Sequence, residues 1–518
     1  MLGSSKYFKT QLWQSQLVDA HSLRVRTRNF HHLGEPILSA TLLRCLFRIL
    51  PLLLIVLSGF RSQAQDLKIV ITIPSEAGAE ALIDGQYSPG ATNFSFRNSY
   101  GSVLGLAERI EGFDVVANNG GATTAQKVGP GEYRSTTRAT NFRYRVKLGL
   151  PENQSDMAHT SWLEGGSGLL MLADLVPKLD GLEFKPLIVD FLLPSAWRVA
   201  SAIKPTANHF LVQKSETAIF FVGRSLRETT AQVGSIQFAF ITSSKWSFSD
   251  GQVLKIAAKV LNEYSKRIVP DPTSSAVLML VPFPRSRPEV QWSAETRGST
   301  TAIVFNEGGK QKYALAQLAI ALTHEFFHFW VPNGLALTGD YDWFFEGFTI
   351  YQASQTAVRL GYIDFNEYLN TIARVYHSYL SVQDRDRFSL IEASQRRFTG
   401  ESSVVYDKGM LVGFLCDLIL RYESDGRSSL DDVYRSLFRI RGESQDANKA
   451  IIKALSLYAA LKQFADAYIV QNGSLELEGL IGRYGLEIQS NGQEKRLVTN
   501  SRLDPRQLRV LRSLGLRH

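Results

Sequence analysis

The sequence predicts a multidomain α+β protein, with a β-sandwich-like domain at its N-terminal end and a helical domain at its C-terminal end. The chain has 518 residues, of which 44% are hydrophobic, and this is too long for one ordinary core. Strand patterns dominate the first half and helical patterns dominate the second. A mixed region between them contains the residue types that carry chemistry.

Strand patterns dominate the segment from residue 65 to residue 245. In Asn141–Leu148, apolar and polar residues alternate strictly, as they do on a half-buried strand. Glycine, proline and asparagine separate the runs, which is typical of turns between short strands. The histidines of this segment, His159 and His209, are isolated in sequence and suggest no catalytic group. The other strand-like runs are Leu67–Ile73, Phe210–Gln213 and Ala218–Val222.

The segment after residue 245 combines helices with buried strands. Asp250 is placed to cap an amphipathic helix whose apolar stripe includes Val253, Val260 and Tyr264. Two buried strands are then predicted, followed by a helix that ends before Pro332. These elements are Ala276–Val281, Thr301–Phe305 and Tyr313–Val331. Further helices are predicted at Val404–Tyr422, after the capping pattern Ser429-x-x-Asp432, and at Ala459–Val470.

The first 64 residues have the composition of an export leader. A basic stretch precedes the apolar run Ile49–Phe60, and the small-x-small pattern Ser62-Gln-Ala64 follows it. This order is typical of a signal peptide cleaved after Ala64, so we expect a periplasmic or extracellular protein. The run is shorter than the roughly 20 residues of a membrane span. An uncleaved leader that associates with the membrane is the alternative.

The charge distribution excludes one class of partner. Formal net charge is +8, and the leader carries most of that excess, so the remainder is close to neutral. A nearly neutral chain argues against a nucleic-acid binder. A second basic cluster occupies residues 491–518, which we expect to form a solvated tail, with membrane or partner binding as the alternative. The sequence leaves the oligomeric state open.

Two histidines four residues apart occur in the run Leu-Thr-His324-Glu325-Phe-Phe-His328-Phe-Trp. Residues at this spacing project from one face of a helix, so both imidazoles can bind the same Zn²⁺ with Glu325 beside them. A catalytic zinc keeps three protein ligands and one position for water. The motif therefore predicts one zinc ion, with Glu325 as the general base. The neighbouring aromatic residues are interpreted as packing around the site.

A third ligand is expected on the element that follows the two histidines. Glu346 lies in the run Trp343-Phe-Phe-Glu-Gly-Phe, and a carboxylate surrounded by aromatic residues is costly to bury unpaired. Coordination of a cation offsets that cost, so Glu346 is the predicted third ligand. Asp340 and Asp342 are interpreted as exposed turn residues or as a hydrogen-bonding partner of a ligand.

These motifs resemble the glycyl aminopeptidase family of gluzincin zinc metallopeptidases. The resemblance is carried by the histidine motif, by Trp-Phe-x-Glu-Gly-Phe-Thr, and by Val405-Tyr406-Asp407-Lys408-Gly409, and it covers about residues 250–488. It implies a thermolysin-like catalytic domain over residues 246–355 and a helical domain over residues 356–490. Only thirty residues follow Ile488, so the PDZ domain that commonly ends family members is not expected.

The resemblance gives roles to two further residues. Tyr406 matches the family tyrosine that donates a hydrogen bond to the developing oxyanion. Glu295, in Trp292-Ser-Ala-Glu-Thr, occupies the position of the family glutamate that binds the free amino group of the substrate. Here Ser-Ala replaces the family's glycine pair and Thr296 replaces its histidine. An ordinary exposed residue at a strand edge is the alternative for Glu295.

Three functions remain open on the sequence. The first is an aminopeptidase that releases small N-terminal residues from peptides or proteins, and the second is a zinc endopeptidase that lacks an amine anchor. The third is a non-catalytic scaffold that binds peptides, which the intact set of predicted ligand and catalytic residues disfavours. Cleavage of unblocked and N-acetylated peptides distinguishes the first two.

Overall fold

The computed structural model describes residues 67–117, 122–180, 186–269, 271–285, 292–440, 445–491 and 494–517. The predicted leader, with its cleavage site, lies outside these residues. Within these ranges, no helix combines the length and the apolar character needed to cross a membrane.

Three β-sheets make up most of the described N-terminal half. The nine-stranded sheet contains Leu67–Thr72, Glu80–Ser95, Ile110–Ala117, Ala122–Thr123, Ala125–Gly129, Glu132–Lys147, Lys178–Leu179, Leu187–Leu192 and Phe210–Val212. The four-stranded sheet contains Trp162–Glu164, Ser167–Met171, Trp197–Ala200 and Ile219–Arg224. The five-stranded sheet has the order Arg227–Val233, Ile236–Thr242, Ser275–Pro282, Thr300–Phe305 and Trp292–Arg297. Short two-stranded pairs are Ser99–Tyr100 with Val103–Leu104, and Leu337–Thr338 with Gln445–Asp446.

The four-stranded sheet lies between the other two and is buried on both faces. Leu170 and Phe220 pack against the nine-stranded sheet, whereas Leu169 and Phe221 pack against the five-stranded sheet. Successive side chains of a strand point to opposite faces, so an unbroken apolar run such as Ile219–Val222 supplies two cores at once. The predicted β-sandwich-like arrangement is therefore extended by a third layer.

Strands on the two sides of the predicted domain boundary after residue 245 belong to one sheet. Ile236–Thr242 pairs in parallel with Ser275–Pro282, and Arg227–Val233 pairs antiparallel with Ile236–Thr242. Both strands therefore belong to the five-stranded sheet, which extends across that boundary. A sequence pattern predicts strands but not their partners, so it gave no indication of this pairing. The boundary at residue 355 also falls inside a helix, Thr349–Leu360.

Helices cover one face of the five-stranded sheet and continue into the C-terminal half with one shared core. The α-helices are Leu172–Leu175, Asp250–Arg267, Gln311–Glu325, Thr349–Leu360, Phe365–Leu380, Leu390–Gln395, Gly409–Glu423, Leu430–Arg439, Ala447–Ser456, Ala459–Ala465, Leu477–Ile481 and Pro505–Leu514. Segments of π-helix occupy Trp343–Phe348, Val404–Lys408 and Asp466–Val470. Short 3₁₀ turns occupy Leu106–Arg109, Gln154–Asp156, Ser215–Thr217, Phe326–Phe329, Arg397–Thr399 and Gly482–Tyr484.

Asp250 does not cap the helix that it begins. Ser249 is the capping residue: its hydroxyl oxygen accepts a hydrogen bond from the backbone N–H of Gln252 at 3.3 Å. Asp250 instead forms an ion pair with Arg227 at 2.8 Å, which links the helix to the outermost strand of the five-stranded sheet.

The segment predicted as a solvated basic tail is folded. The strands Leu486–Asn491 and Glu494–Thr499 form a hairpin, and the helix Pro505–Leu514 follows it. This helix buries Val510, Leu511 and Leu514, whose spacing forms an apolar stripe among the arginines. Its basic residues lie on the other face, where Arg509 pairs with Asp425 at 3.0 Å. The high arginine content concealed the stripe in the sequence.

Candidate metal centre

The two predicted histidine ligands lie where an α-helix tightens into a 3₁₀ turn. The helix Gln311–Glu325 carries His324, and the turn Phe326–Phe329 carries His328. The predicted helix of 313–331 is therefore shorter as an α-helix, and its last turn is tighter. The two Nε2 atoms lie 2.9 Å apart on one face. His328 Nδ1 lies 2.9 Å from the carbonyl oxygen of Val331, a contact in which Nδ1 carries the hydrogen and Nε2 is left to bind a cation.

Glu346 lies in a π-helical segment that leads into the helix Thr349–Leu360. Tyr406 lies in a second π-helical segment, Val404–Lys408, at the start of the helix Gly409–Glu423. Single turns of π-helix occur frequently at functional sites. The sequence patterns predicted helices here but did not predict these wider turns.

A pair of glycines lets the two π-helical segments touch. A Cβ atom on Gly347 would lie 2.6 Å from the Cα of Gly409 and 2.7 Å from the carbonyl oxygen of Val405. A Cβ atom on Gly409 would meet the carbonyl oxygen of Trp343 at 2.8 Å. Only glycine allows this approach, which explains why a glycine follows Glu346 and why another follows Lys408.

Three ligand atoms converge in the structure. Glu346 Oε2 lies 3.9 Å from Nε2 of His324 and 3.9 Å from Nε2 of His328. A triangle with sides of 2.9, 3.9 and 3.9 Å has its centre about 2.1 Å from each corner, which matches typical Zn–N and Zn–O distances of about 2.0–2.2 Å. Among the described residues, this trio is the one group of histidine, cysteine and acidic side chains with atoms close enough to hold a metal.

The electrostatics of the trio also favour a cation. Burial lowers the pKa of His328 to about 4 and holds that of His324 well below its usual range, so both imidazoles are neutral ligands. Burial raises the pKa of Glu346 well above its ordinary value, the Arg397 guanidinium offsets part of this rise, and the charges of Asp342 and Glu325 add to it. A bound cation would reverse this penalty, since it favours the ionised carboxylate.

Glu325, the predicted general base, is buried beside the metal ligands. Thr296 Oγ1 donates a hydrogen bond to its Oε2 at 2.8 Å. Thr296 lies on the outer strand of the five-stranded sheet, so this bond connects the strand to the helix that carries the base. Burial raises the pKa of Glu325 to about 8, a value suited to accepting and returning a proton near neutral pH.

Tyr406 is held by an arginine that sequence reasoning did not identify. Arg397 Nη2 donates a hydrogen bond to the Tyr406 hydroxyl oxygen and lies 3.4 Å from Glu346 Oε1. Its Nη1 donates to Asp342 Oδ1. Asp342 is therefore a buried partner in this network and is not an exposed turn residue. A single arginine has no characteristic spacing, so no sequence signal marked it.

Glu295 is fully buried, which excludes the exposed strand-edge alternative. Its carboxylate accepts hydrogen bonds from the Tyr100 hydroxyl at 2.8 Å and from Arg297 Nε at 3.1 Å, and it lies 2.5 Å from His159 Nδ1. Tyr100 and His159 come from the N-terminal region, so Glu295 joins that region to the five-stranded sheet. His159 is thus isolated in sequence but not in the fold.

The comparisons with known proteins identify the fold. No protein-family model matches the chain, and no curated protein matches its sequence significantly. An aminopeptidase N family protein from Idiomarina loihiensis is 16% identical with a TM-score of 0.66, over 82% of this chain and 79% of that one. An M1 zinc metallopeptidase from Deinococcus radiodurans is 13% identical with a TM-score of 0.51, over 80% and 94%. A mutant of the Deinococcus protein, described as bound to a Tyr-Ser-Ala substrate, is 15% identical with the same TM-score and coverage. The predicted multidomain α+β fold is confirmed by this similarity.

Proposed function

We propose that this protein is a zinc-dependent metallopeptidase. The observation that carries the proposal is the convergence of His324, His328 and Glu346, whose ligand atoms all lie within 4.8 Å of one another. Glu325 lies between the histidines in sequence, at the end of the helix that carries His324, as in zinc peptidases with the His-Glu-x-x-His motif. A non-catalytic scaffold would not need this combination of buried ligands and a buried base.

The proposal gives each side chain one task. When bound, zinc supplies Lewis-acid polarisation of the substrate carbonyl and makes a water molecule more acidic. Glu325 accepts the proton of the attacking water and passes it to the departing amine. Tyr406 donates a hydrogen bond to the carbonyl oxygen as negative charge develops there. The surrounding aromatic residues, including Phe326 and Trp330, are buried and exclude bulk water.

Metal analysis and a Glu325→Gln variant test this proposal together. We expect the purified protein to bind one equivalent of zinc and to cleave a mixed peptide library. Glu325→Gln should retain zinc and lose about 10²–10⁴-fold in kcat, because the proton acceptor is removed while the ligands remain. A wild-type protein that binds no zinc, or a variant with full activity, would refute the assignment.

The finer proposal is an aminopeptidase of glycyl type that releases small N-terminal residues. It is supported by the motifs shared with that family and by the position of Glu295 beside Thr296, which contacts the general base. A carboxylate there would select a substrate ammonium by charge pairing.

A zinc endopeptidase is the second candidate, favoured by the surroundings of Glu295. Its carboxylate already has one cation, Arg297, and further partners in Tyr100 and His159. An arriving ammonium would have to displace at least one of them. An enzyme whose anchor stays occupied would not distinguish a free amino group from a blocked one.

Matched peptides that differ only in N-acetylation separate the two candidates. An aminopeptidase should cleave the unblocked peptide at its first bond and leave the acetylated peptide nearly intact. Equal kcat/KM on both peptides, with cleavage at internal bonds, would establish the endopeptidase and exclude the amine anchor.

We also propose that the protein is exported. This rests on the leader pattern of residues 1–64, which lies outside the described residues. Sequencing of the mature N-terminus tests it: a chain that begins at Gln65 supports cleavage after Ala64, whereas an intact leader in a membrane fraction supports the anchored alternative.

A further inference from the structure

Arg397 connects three residues that surround the candidate metal centre. It lies at the start of the 3₁₀ turn Arg397–Thr399 and is 2% exposed. Its guanidinium reaches Asp342, Glu346 and Tyr406, which come from two other segments of the chain. The carbon at the centre of the guanidinium also lies 5.0 Å from the centre of the Tyr406 ring.

We propose that Arg397 is a positioning residue that fixes one oxygen of the ligand Glu346 and the hydroxyl group of Tyr406 in a single orientation. The inference rests on the proposed zinc peptidase function and deepens it. Arg397 acts through these two side chains and has no contact with the substrate in this assignment.

The contacts at Glu346 divide its two oxygens between separate partners. Oε1 lies 3.4 Å from Arg397 Nη2, whereas Oε2 lies 3.9 Å from each histidine Nε2. Arg397 therefore holds the oxygen that faces away from the histidines. This restricts the carboxylate to one rotamer and directs Oε2 to the metal position. Partners of this kind fix the orientation of a ligand and affect its affinity for metal.

In the hydrogen bond between Arg397 and Tyr406, the chemistry of arginine decides which group is the donor. A guanidinium only donates hydrogen bonds, so the Tyr406 oxygen is the acceptor. The hydroxyl hydrogen must then point away from Arg397. Fixing the oxygen in this way leaves the hydrogen to be donated elsewhere, which is what an oxyanion donor requires.

Asp342 keeps the guanidinium in place. It is fully buried, and Arg397 Nη1 donates to its Oδ1. The planar guanidinium can bind Asp342 through one nitrogen while the other serves Glu346 and Tyr406. A lysine has one compact ammonium group and cannot reproduce this fork. The arrangement therefore depends on the shape of arginine as well as on its charge.

The test compares Arg397→Lys and Arg397→Gln with a control at a different buried arginine. Arg421 is 3% exposed and pairs with Asp417 at 2.8 Å, so Arg421→Gln removes a similar buried ion pair in another part of the helical region. Zinc affinity is measured by competition with a chromophoric chelator, on variants whose circular dichroism shows that they are folded. Activity on a peptide substrate is measured in zinc-saturated protein.

We expect both Arg397 variants to bind zinc about 10–100-fold more weakly, while Arg421→Gln binds it as the wild type does. We also expect kcat to fall in zinc-saturated Arg397→Lys with little change in KM. In the Tyr406→Phe background, Arg397→Lys should lower kcat by less than it does in the wild type, since part of its effect acts through that hydroxyl. If Arg397→Gln does not fold, Arg397→Lys alone decides the question.

Zinc affinity in folded Arg397→Lys equal to that of the wild type, or additive losses of kcat in the double variant, would overturn the inference. Loss of zinc affinity in Arg421→Gln to the same extent would also overturn it, because the effect would then be general. A wild-type protein that binds no zinc would instead refute the proposed function itself, so the two failures are distinguishable.

Discussion

The backbones of Gly347 and Gly409 touch where two helical segments cross, and a Cβ atom on Gly347 would lie 2.6 Å from the Cα of Gly409. One of these segments carries Glu346 and the other carries Tyr406. The distance between a metal ligand and the proposed oxyanion donor is therefore set by a contact between two main chains.

Gly347→Ala should separate these segments. Overpacking of this kind commonly costs about 1–3 kcal/mol, and the shift of Glu346 should also weaken zinc binding. Gly479→Ala is the matched control, since Gly479 is helical and a Cβ there meets no atom within 4 Å. The free energy of unfolding of Gly479→Ala should equal that of the wild type or exceed it by up to about 1 kcal/mol. Urea denaturation and zinc titration of both variants check the prediction, which fails if Gly347→Ala matches its control.

His324→Ala and His328→Ala should each lose the metal, because two protein ligands rarely hold a catalytic zinc. A free zinc concentration of 100 times the Kd stabilises a folded protein against unfolding by about 2.7 kcal/mol. A chelator should therefore lower the melting temperature of the wild type and leave that of either variant unchanged. His209→Ala, which alters an exposed histidine paired with Asp190, should respond as the wild type does. Stoichiometric zinc in His324→Ala would remove that residue from the ligand set.

Tyr406→Phe should lower kcat by roughly 10²–10³-fold with little change in KM, because its hydrogen bond forms mainly in the transition state. Tyr434→Phe is the control: its side chain is also buried, and its hydroxyl makes no hydrogen bond to the described residues. Steady-state kinetics of the two variants provide the measurement. An unchanged kcat in Tyr406→Phe would leave that tyrosine with a packing role.

Glu295→Gln gives different results under the two candidate specificities. As an amine anchor, the residue should support cleavage of unblocked peptides only, so the variant should lose kcat/KM on those and little on N-acetylated ones. As a buried partner of Arg297, its loss leaves an unpaired charge, which commonly costs about 3–5 kcal/mol. In that case stability falls and both peptides are affected equally. Denaturation and paired kinetics decide between these outcomes.

Leu511→Ala tests the folded C-terminal segment. Leu511 is fully buried, and truncation of such a side chain commonly costs about 2–5 kcal/mol. Arg517→Ala, at an exposed position of the same segment, should change the free energy of unfolding by less than about 0.5 kcal/mol. Equal stability of the two variants in chemical denaturation would instead support the prediction that residues 491–518 form a solvated tail.

The sequence predicted the three ligands because each of them leaves a local signal. His324 and His328 have the spacing of one helical face, and Glu346 is the single carboxylate in a run of aromatic residues. The sequence did not predict Arg397 or the environment of Glu295, since these depend on contacts between segments far apart in the chain. The same limit applies to the sheet that extends across the predicted boundary after residue 245, because strand pairing is not a local property. Ser249 and Asp250 are both good capping residues, so their neighbouring positions could not be ranked from sequence.

The four-stranded sheet, buried on both faces, has a consequence for how the chain can be divided. A fragment that begins at residue 246 would lack the strands Arg227–Val233 and Ile236–Thr242. It would also expose the apolar face formed by Val277, Met279 and Ala302, together with the unpaired edge of Ser275–Pro282. Bare edges and contiguous apolar faces promote aggregation. The region after residue 245 therefore needs the N-terminal layers for its solubility, and we expect it to be recovered intact only when the whole β-rich half is retained.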